Sequence, residues 1–270
     1  MISVRMSESV LYQQNGRIVH LSLNRPDTRN ALSADVVESL VSSLNKANDD
    51  ETVSVVVISG TGKGFSSGGN LKELQAMTKT DNLSKLEIEN WYRLGIQQIP
   101  LTMEKINVVT IAAVHGHAVG AGCDLACMCD LRIAADTAKF NESFLRVGLI
   151  PGDGGAWFIP RIIGMAKAKE MLFTALPVKA DKALNWGLVS QVVSEEKLIE
   201  TTMKMAKNIA DLPPQAIRKA KALIRASAAL PLETGLDLAA SMQAELQQLN
   251  DHLEAINAIL EKRKPAFKGN

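Results

Sequence analysis

The amino-acid sequence predicts an α/β fold, a spiral of ββα units followed by helices alone. Three observations carry this prediction. Short, apolar, β-branched runs alternate with helical patterns, two of those runs pass directly into glycine-rich loops, and strand signals stop near residue 195. Alternation of strand and helix implies parallel pairing through crossover connections. The unit recurs without recurring sequence, so the chain is not a repeat array.

The elements follow in order. Residues 10–14 and 18–23 alternate on either side of Asn15-Gly16, a hairpin signal because these residues accept the positive φ of a tight turn. Asn24-Arg25-Pro26-Asp27 reads as a turn, and Ser33 is placed to cap a helix with Val36, Val37, Leu40, Val41 and Leu44 on one face. Residues 53–59 form a buried-type strand that ends in Gly60-Thr-Gly-Lys-Gly-Phe-Ser-Ser-Gly-Gly69, with a helix starting near Asn70. Residues 108–114 repeat the plan: a strand, then Gly116, Gly120 and Gly122, then a helix over 123–129, with a third short strand at 131–134.

Beyond residue 195, Pro213-Pro214 opens a helix carrying Ile217, Ala220, Leu223 and Ile224. Met242, Leu246, Leu249, Leu253, Ile256 and Leu260 then form an apolar seam, and Asp251 with Glu254 reads as a capping box that restarts the helix within it. Such a seam must bury itself, and a partner subunit is the economical solution. The expected division is therefore residues 1–195 as the core and 196–270 as a helical oligomerisation region.

Composition narrows the function. The chain has 270 residues, 46% of them hydrophobic, with 30 basic and 29 acidic side chains. That balance argues against nucleic acid or a membrane surface as the main partner. No targeting-type leader is legible at the N-terminus, and no apolar run approaches the roughly eighteen residues of a membrane span, so a cytoplasmic setting is expected. Cys123, Cys127 and Cys129 crowd one short stretch, which suits small buried hydrophobes on a helix rather than disulfides or zinc ligands.

Glycine loops that lead into helices can present inward-pointing amides: glycine lacks a Cβ, and helix N-termini carry unpaired N–H groups and a favourable dipole. Two such loops could aim one donor each at a single developing oxyanion. Either loop alone would equally serve as a tight strand-to-helix turn. Gly60-x-Gly62 and Gly120-x-Gly122 are only fragments of a dinucleotide fingerprint, and Lys63 is followed by glycine rather than the Ser or Thr of a P-loop.

Taken together, these stretches resemble the crotonase superfamily, also called the enoyl-CoA hydratase/isomerase family. The matching segments are Leu23-Asn-Arg-Pro with Arg29-Asn-Ala-Leu32, Gly64-Phe-Ser-Ser-Gly-Gly-Asn-Leu-Lys-Glu73, Ala113-Val-His-Gly-His-Ala-Val-Gly-Ala-Gly-Cys-Asp-Leu125, Gly148-Leu-Ile-Pro-Gly-Asp-Gly-Gly155, and Leu260-Glu-Lys-Arg-Lys-Pro-Ala-Phe267. They occur in the family's order along nearly the whole chain. The resemblance implies a crotonase-like spiral with a C-terminal helical trimerisation region, assembled as a homotrimer or hexamer. It puts the oxyanion donors on the amides of Gly69 and Ala121. Coenzyme A would lie along Arg25, Arg29, Ala31, Ser66 and Ser67, with Lys262 and Lys264 of the basic tail near its phosphates and Phe267 packing beside them. A solvated helix end explains that tail equally well. Coenzyme A enters as part of the substrate; no separate cofactor and no metal are expected, although His115, His117, Cys123 and Asp124 invite a metal reading.

Hydratase members use two glutamates, one to orient water and one to deliver a proton to the α-carbon. The first position is Asp124 here. The second is Phe144, which carries no acid. Glu142 and Asp153 are the nearest replacements, so the candidate acid–base residues are Asp124, Glu142 and Asp153. Leu71, Leu74, Met77 and Trp91 are candidate acyl-pocket residues. The implied activity is hydration or double-bond isomerisation of an unsaturated acyl-CoA. Thioester hydrolysis and a non-catalytic CoA-binding oligomer are the alternatives.

Overall fold

A computed structural model describes residues 8–80 and 83–270. The chain runs β1 (Val10–Asn15), β2 (Ile18–Leu23), α1 (Ala34–Asp49), β3 (Val55–Gly60), α2 (Leu71–Lys79), α3 (Lys85–Leu94) and α4 (Gln98–Lys105). It continues through β4 (Val109–Val114), β5 (His117–Val119), α5 (Ala121–Met128), β6 (Leu131–Ala135), β7 (Lys139–Asn141) and α6 (Gly155–Thr174). Next come β8 (Val178–Lys179), α7 (Ala180–Trp186), β9 (Gln191–Val193), α8 (Leu198–Ala210), α9 (Pro214–Ser227), α10 (Leu232–Gln247) and α11 (Asn250–Leu260).

The hairpin forms as expected, with Asn15 opposite Ile18 and Gly16 at φ 57°. From β2 onward the main sheet is parallel, in the order β1-β2-β3-β4-β6-β9. A second sheet of three short strands, β5-β7-β8, branches from it. No sequence signal marked that second sheet.

Strand side chains alternate between faces, and both faces of the main sheet are covered. Val56, Ile58, Ala112 and Val114 join Val36, Leu40 and Leu44 of α1 and most of α5 in the larger core. Val55, Val57, Ile111 and Ala113 face the other way, onto Leu198 and Ala206 of α8. Burying a side chain of this size contributes about 1.5–3 kcal/mol. The two-sided burial explains why β3 and β4 read as continuous apolar runs.

Two expected caps take other forms. Ser33 is the N-cap residue of α1, but its hydroxyl donates to Asp35 Oδ1 at 2.5 Å instead of accepting from a backbone amide. The helix does restart between α10 and α11, yet Asp251 and Glu254 make no capping box. The returning tail claims both: Asp251 accepts from the Lys268 and Gly269 amides, and Glu254 accepts from Arg263 and the Ala266 amide.

Candidate active site

The two glycine loops are joined by main-chain hydrogen bonds. The Phe65 amide donates to His115 O, the Ser66 amide to His117 O and the Val119 amide to Ser66 O, each at 3.0 Å. Close approach depends on missing side chains. Gly68 has φ 85°, and a Cβ there would stand 2.3 Å from Val119 O and 3.3 Å from the Ala121 nitrogen. A Cβ on Gly122 would collide with Ser66 at 2.7 Å.

Gly69 and Ala121 line one cavity of about 570 Å³. Ala121 is the first residue of α5 and so lies outside its hydrogen-bond ladder. Gly69 directly precedes Asn70, whose side chain caps α2 by accepting from the Lys72 amide. Among the described residues, neither the Gly69 nor the Ala121 amide donates to an internal acceptor. The arrangement leaves two amides from separate loops open to the same space.

Leu71, Leu74 and Trp91 line this cavity, as anticipated; Met77 is not among its lining residues. Sequence reading missed Tyr92, Ile96 and Gln97 on the α3–α4 side and Leu149 and Ile150 opposite. Gln97 ties the two sides together by donating to Gly152 O at 3.0 Å. Only the adjacent aromatic pair Trp91-Tyr92, an edge-to-face contact at 4.9 Å, offered a sequence signal for that wall.

The fold brings Asp124, Glu142 and Asp153 into one cluster, but not at one depth. Asp153 lines the cavity beside Phe144. Asp124 and Glu142 lie behind the wall, 0% and 1% exposed. They meet beneath Gly155, where an added Cβ would be 2.1 Å from Asp124 Oδ1 and 3.1 Å from Glu142 Oε2. Among the described residues, no oxygen of either carboxyl has a hydrogen-bond partner. Burial, reinforced for Asp124 by the facing Glu142, pushes Asp124 well above the usual carboxylate range. Burial raises Glu142 too, with Cys127 adding to the shift. Burial alone lifts Asp153 to about 6. Tyr92 is raised by its own burial and by the Asp153 charge. Phe144 packs against Gly120, 3.7 Å from where a Cβ would stand.

Residues 25–31 form a tight turn with Arg29 and Asn30 at positive φ. Asn30, which sequence reading passed over, is fully buried and donates to Thr61 O and Gly64 O, fastening this turn to the first loop. Arg25 is held by Asp35 at 2.8 Å and by Ser9. Arg29 accepts the Ser67 amide through its carbonyl, and Ser66 Oγ donates to Asn30 O. Ala31 is buried, and Ser67 is at the cavity edge. Lys264 sits elsewhere, beside Asp211 at 3.7 Å, in a groove with Arg17 and Phe267. Lys262 precedes it in the exposed turn after α11, and neither lysine lines the cavity of its own chain. His115 Nε2 is 3.0 Å from Gly62 O, His117 is exposed and Cys123 is buried. Among the described residues, no group of three His, Cys, Asp or Glu side chains has the arrangement to hold a metal ion.

A wound α/β fold whose two glycine loops meet at an apolar cavity beside a buried acid cluster is the fold of the crotonase-type enzymes. The family model for enoyl-CoA hydratase/isomerase matches residues 13–270, and the chain belongs to that family as an acyl-CoA enzyme of the hydratase/isomerase type. It is 36% identical over 265 residues to a crotonyl-CoA hydratase of Syntrophomonas wolfei, covering 96% of this chain and 98% of that protein. It is 34% identical to the 2,3-dehydroadipyl-CoA hydratase of Escherichia coli K12, covering 98% of this chain and all (100%) of that one. The crystal structure of an enoyl-CoA hydratase from Bacillus anthracis superposes with a TM-score of 0.88 at 32% identity, over 97% of this chain and 100% of that chain. Among the described residues, no helix is long and apolar enough to cross a membrane.

Proposed function

We propose that the chain turns over an unsaturated acyl-CoA by moving a proton at its α-carbon, with Asp153 as the acid–base group. The thioester carbonyl accepts from the Gly69 and Ala121 amides, which lowers the energy of the enolate; each such donor typically contributes about 2.7–4 kcal/mol. Arg25, Arg29, Ala31, Ser66 and Ser67 border the CoA path. Lys262 and Lys264 serve the site of a neighbouring copy. The carrying observation is that Asp153 is the one acid of the buried cluster that lines the cavity.

Double-bond migration is the reaction this geometry favours. A single carboxylate can take a proton from one carbon and return it to another, whereas hydration also needs a group to hold water. Phe144 stands where that second acid is expected. Hydration is the second reading, favoured by the names of the relatives above. Incubation of 3-enoyl-CoA and crotonyl-CoA in deuterium oxide and in heavy-oxygen water separates them by mass. Deuterium without oxygen supports migration; oxygen uptake establishes hydration. Binding with no turnover of either defeats both. The pH profile adds a sign: abstraction by ionised Asp153 makes kcat/KM rise through about pH 6, while protonation of the α-carbon by Asp153 makes it fall. Asp153→Asn is expected to lose 10²–10⁴-fold in kcat, on the order of a general acid–base contribution.

The outward apolar residues of α10 and α11, among them Leu236, Leu253, Ile256 and Leu260, support assembly of residues 196–270 into a homotrimer or hexamer. Three free, buried thiols fit a reducing, cytoplasmic setting.

A further inference from the structure

Asp153 is carried by a turn that cannot fix it unaided. Glycine flanks it on both sides, in Gly152-Asp153-Gly154-Gly155. Beyond its chain neighbours, a Cβ at Gly152 would meet nothing nearer than Ile150 O at 3.8 Å, so packing does not confine the chain that enters Asp153. Gly154, at φ 118°, accepts from the Trp157 and Phe158 amides, which fastens the chain that leaves Asp153 to α6. Among the described residues, no hydrogen bond or ion pair holds the Asp153 carboxyl itself.

The entering chain has one tether from outside its own turn. Within the turn, the Gly152 amide donates to Ile150 O at 2.7 Å. From the far wall of the cavity, Gln97 Nε2 donates to Gly152 O at 3.0 Å. Among the described residues, this is the one hydrogen bond that joins residues 71–98 to residues 142–155. Gln97 is held in its turn. It is the N-cap residue of α4, its amide donates to Tyr92 O at 3.1 Å, and Ile99, two positions on, is buried. The Gly152 carbonyl and the Asp153 amide belong to one planar peptide group, so a donor on that oxygen fixes the plane from which Asp153 departs. We propose that Gln97 is a positioning residue for the reaction: its donation to Gly152 O holds the peptide plane ahead of Asp153 and so aims the carboxyl into the cavity. The inference rests on the reading of Asp153 as the acid–base group. The tether lies at a half-open edge, where the fold needs it little, but a reacting group displaced by about 1 Å can cost about 100-fold in rate.

Gln97→Met keeps the length of the side chain and removes the donor. Measured on 3-enoyl-CoA and crotonyl-CoA, kcat should fall by about 10–100-fold, with KM within about twofold of the parent and the urea midpoint unchanged. In the Asp153→Asn background the same substitution should change the residual kcat by less than about twofold, because no acid remains to be aimed. A merely structural role would cost the same in both backgrounds, and that result overturns the inference. So does a rise in KM with kcat unchanged, which makes Gln97 a contact for the acyl group instead. Full activity of Gln97→Met beside an impaired Asp153→Asn defeats the role of Gln97 and leaves that of Asp153 standing. Full activity of Asp153→Asn defeats the reading of Asp153, and the inference falls with it.

Discussion

The two glycine loops share a plan, strand to loop to helix, but open onto opposite surroundings. The first leads into α2, which buries no residue, and the second into α5, every residue of which is buried. Each contributes one open amide to the same cavity. The difference divides the labour: α5 provides a fixed wall and seals the acid pair behind it, while α2 provides an outer wall of Leu71 and Leu74 that carries little of the core. On the proposed function, the catalytic geometry is therefore set where packing is tightest, and the surface proposed to meet the acyl chain is set where substitution costs the fold least.

The sharpest way to break this comparison is to add one methyl group at two adjacent glycines. Gly68→Ala puts a Cβ at 2.3 Å from Val119 O on a backbone at φ 85°, so the loops must part. Activity should fall by about 100-fold or more, in keeping with loss of an oxyanion donor, and the variant should lose on the order of 2–3 kcal/mol in denaturant unfolding. At Gly69 the added Cβ meets only Leu74 Cδ1, at 3.8 Å. Gly69→Ala should unfold like the parent and retain activity within about tenfold, because the amide is kept and the backbone is unstrained. Equal loss in both variants would mean that the loops are not held by the close contact described.

A smaller effect tests the sealed side. The raised acids bind protons more tightly in the folded than in the unfolded chain, so their burial costs stability once the pH exceeds the ordinary carboxylate range. Stability should fall as pH rises, and for Asp153 that loss lies between its unperturbed value of 3.8 and its folded value of about 6. Asp153→Asn should flatten this part of the curve and stabilise the chain near neutrality by on the order of 2 kcal/mol, measured by urea unfolding across about pH 4–7. A curve unchanged by the substitution would show that Asp153 is not perturbed by burial.

Much of this contrast is legible in the amino-acid order, and the remainder is not, for physical reasons. Local chemistry announces itself: Asn15-Gly16 makes its turn, Asn70 caps its helix, and β3 and β4 read as buried because no polar side chain interrupts their central positions. Strands of two or three residues, such as β5, β7 and β8, are stabilised by neighbours from distant sequence and carry no periodicity of their own. The grouping of Asp124, Glu142 and Asp153 follows from family-type spacing, but their depths do not, since burial depends on where α6 passes over them. Asp251 and Glu254 have the spacing of a cap, yet the tail competes for both carboxylates and wins.

The outer wall is where the smallest effect is expected and where it is most informative. Leu71 is 63% exposed although it lines the cavity, so truncating it removes little from the folding core. Leu71→Ala should leave the unfolding midpoint within about 0.5 kcal/mol of the parent, as surface positions do. Its cost belongs to substrate contact instead. A methylene lost from an apolar pocket changes discrimination by about 1–3 kcal/mol when fully enclosed, and a half-open wall should return the lower part of that range. The expected signature is a several-fold rise in KM for longer acyl chains, with kcat unchanged and short-chain substrates barely affected. A fall in kcat for every chain length would place Leu71 in the chemistry of the site, and the division between a fixed inner wall and a permissive outer one would then be wrong.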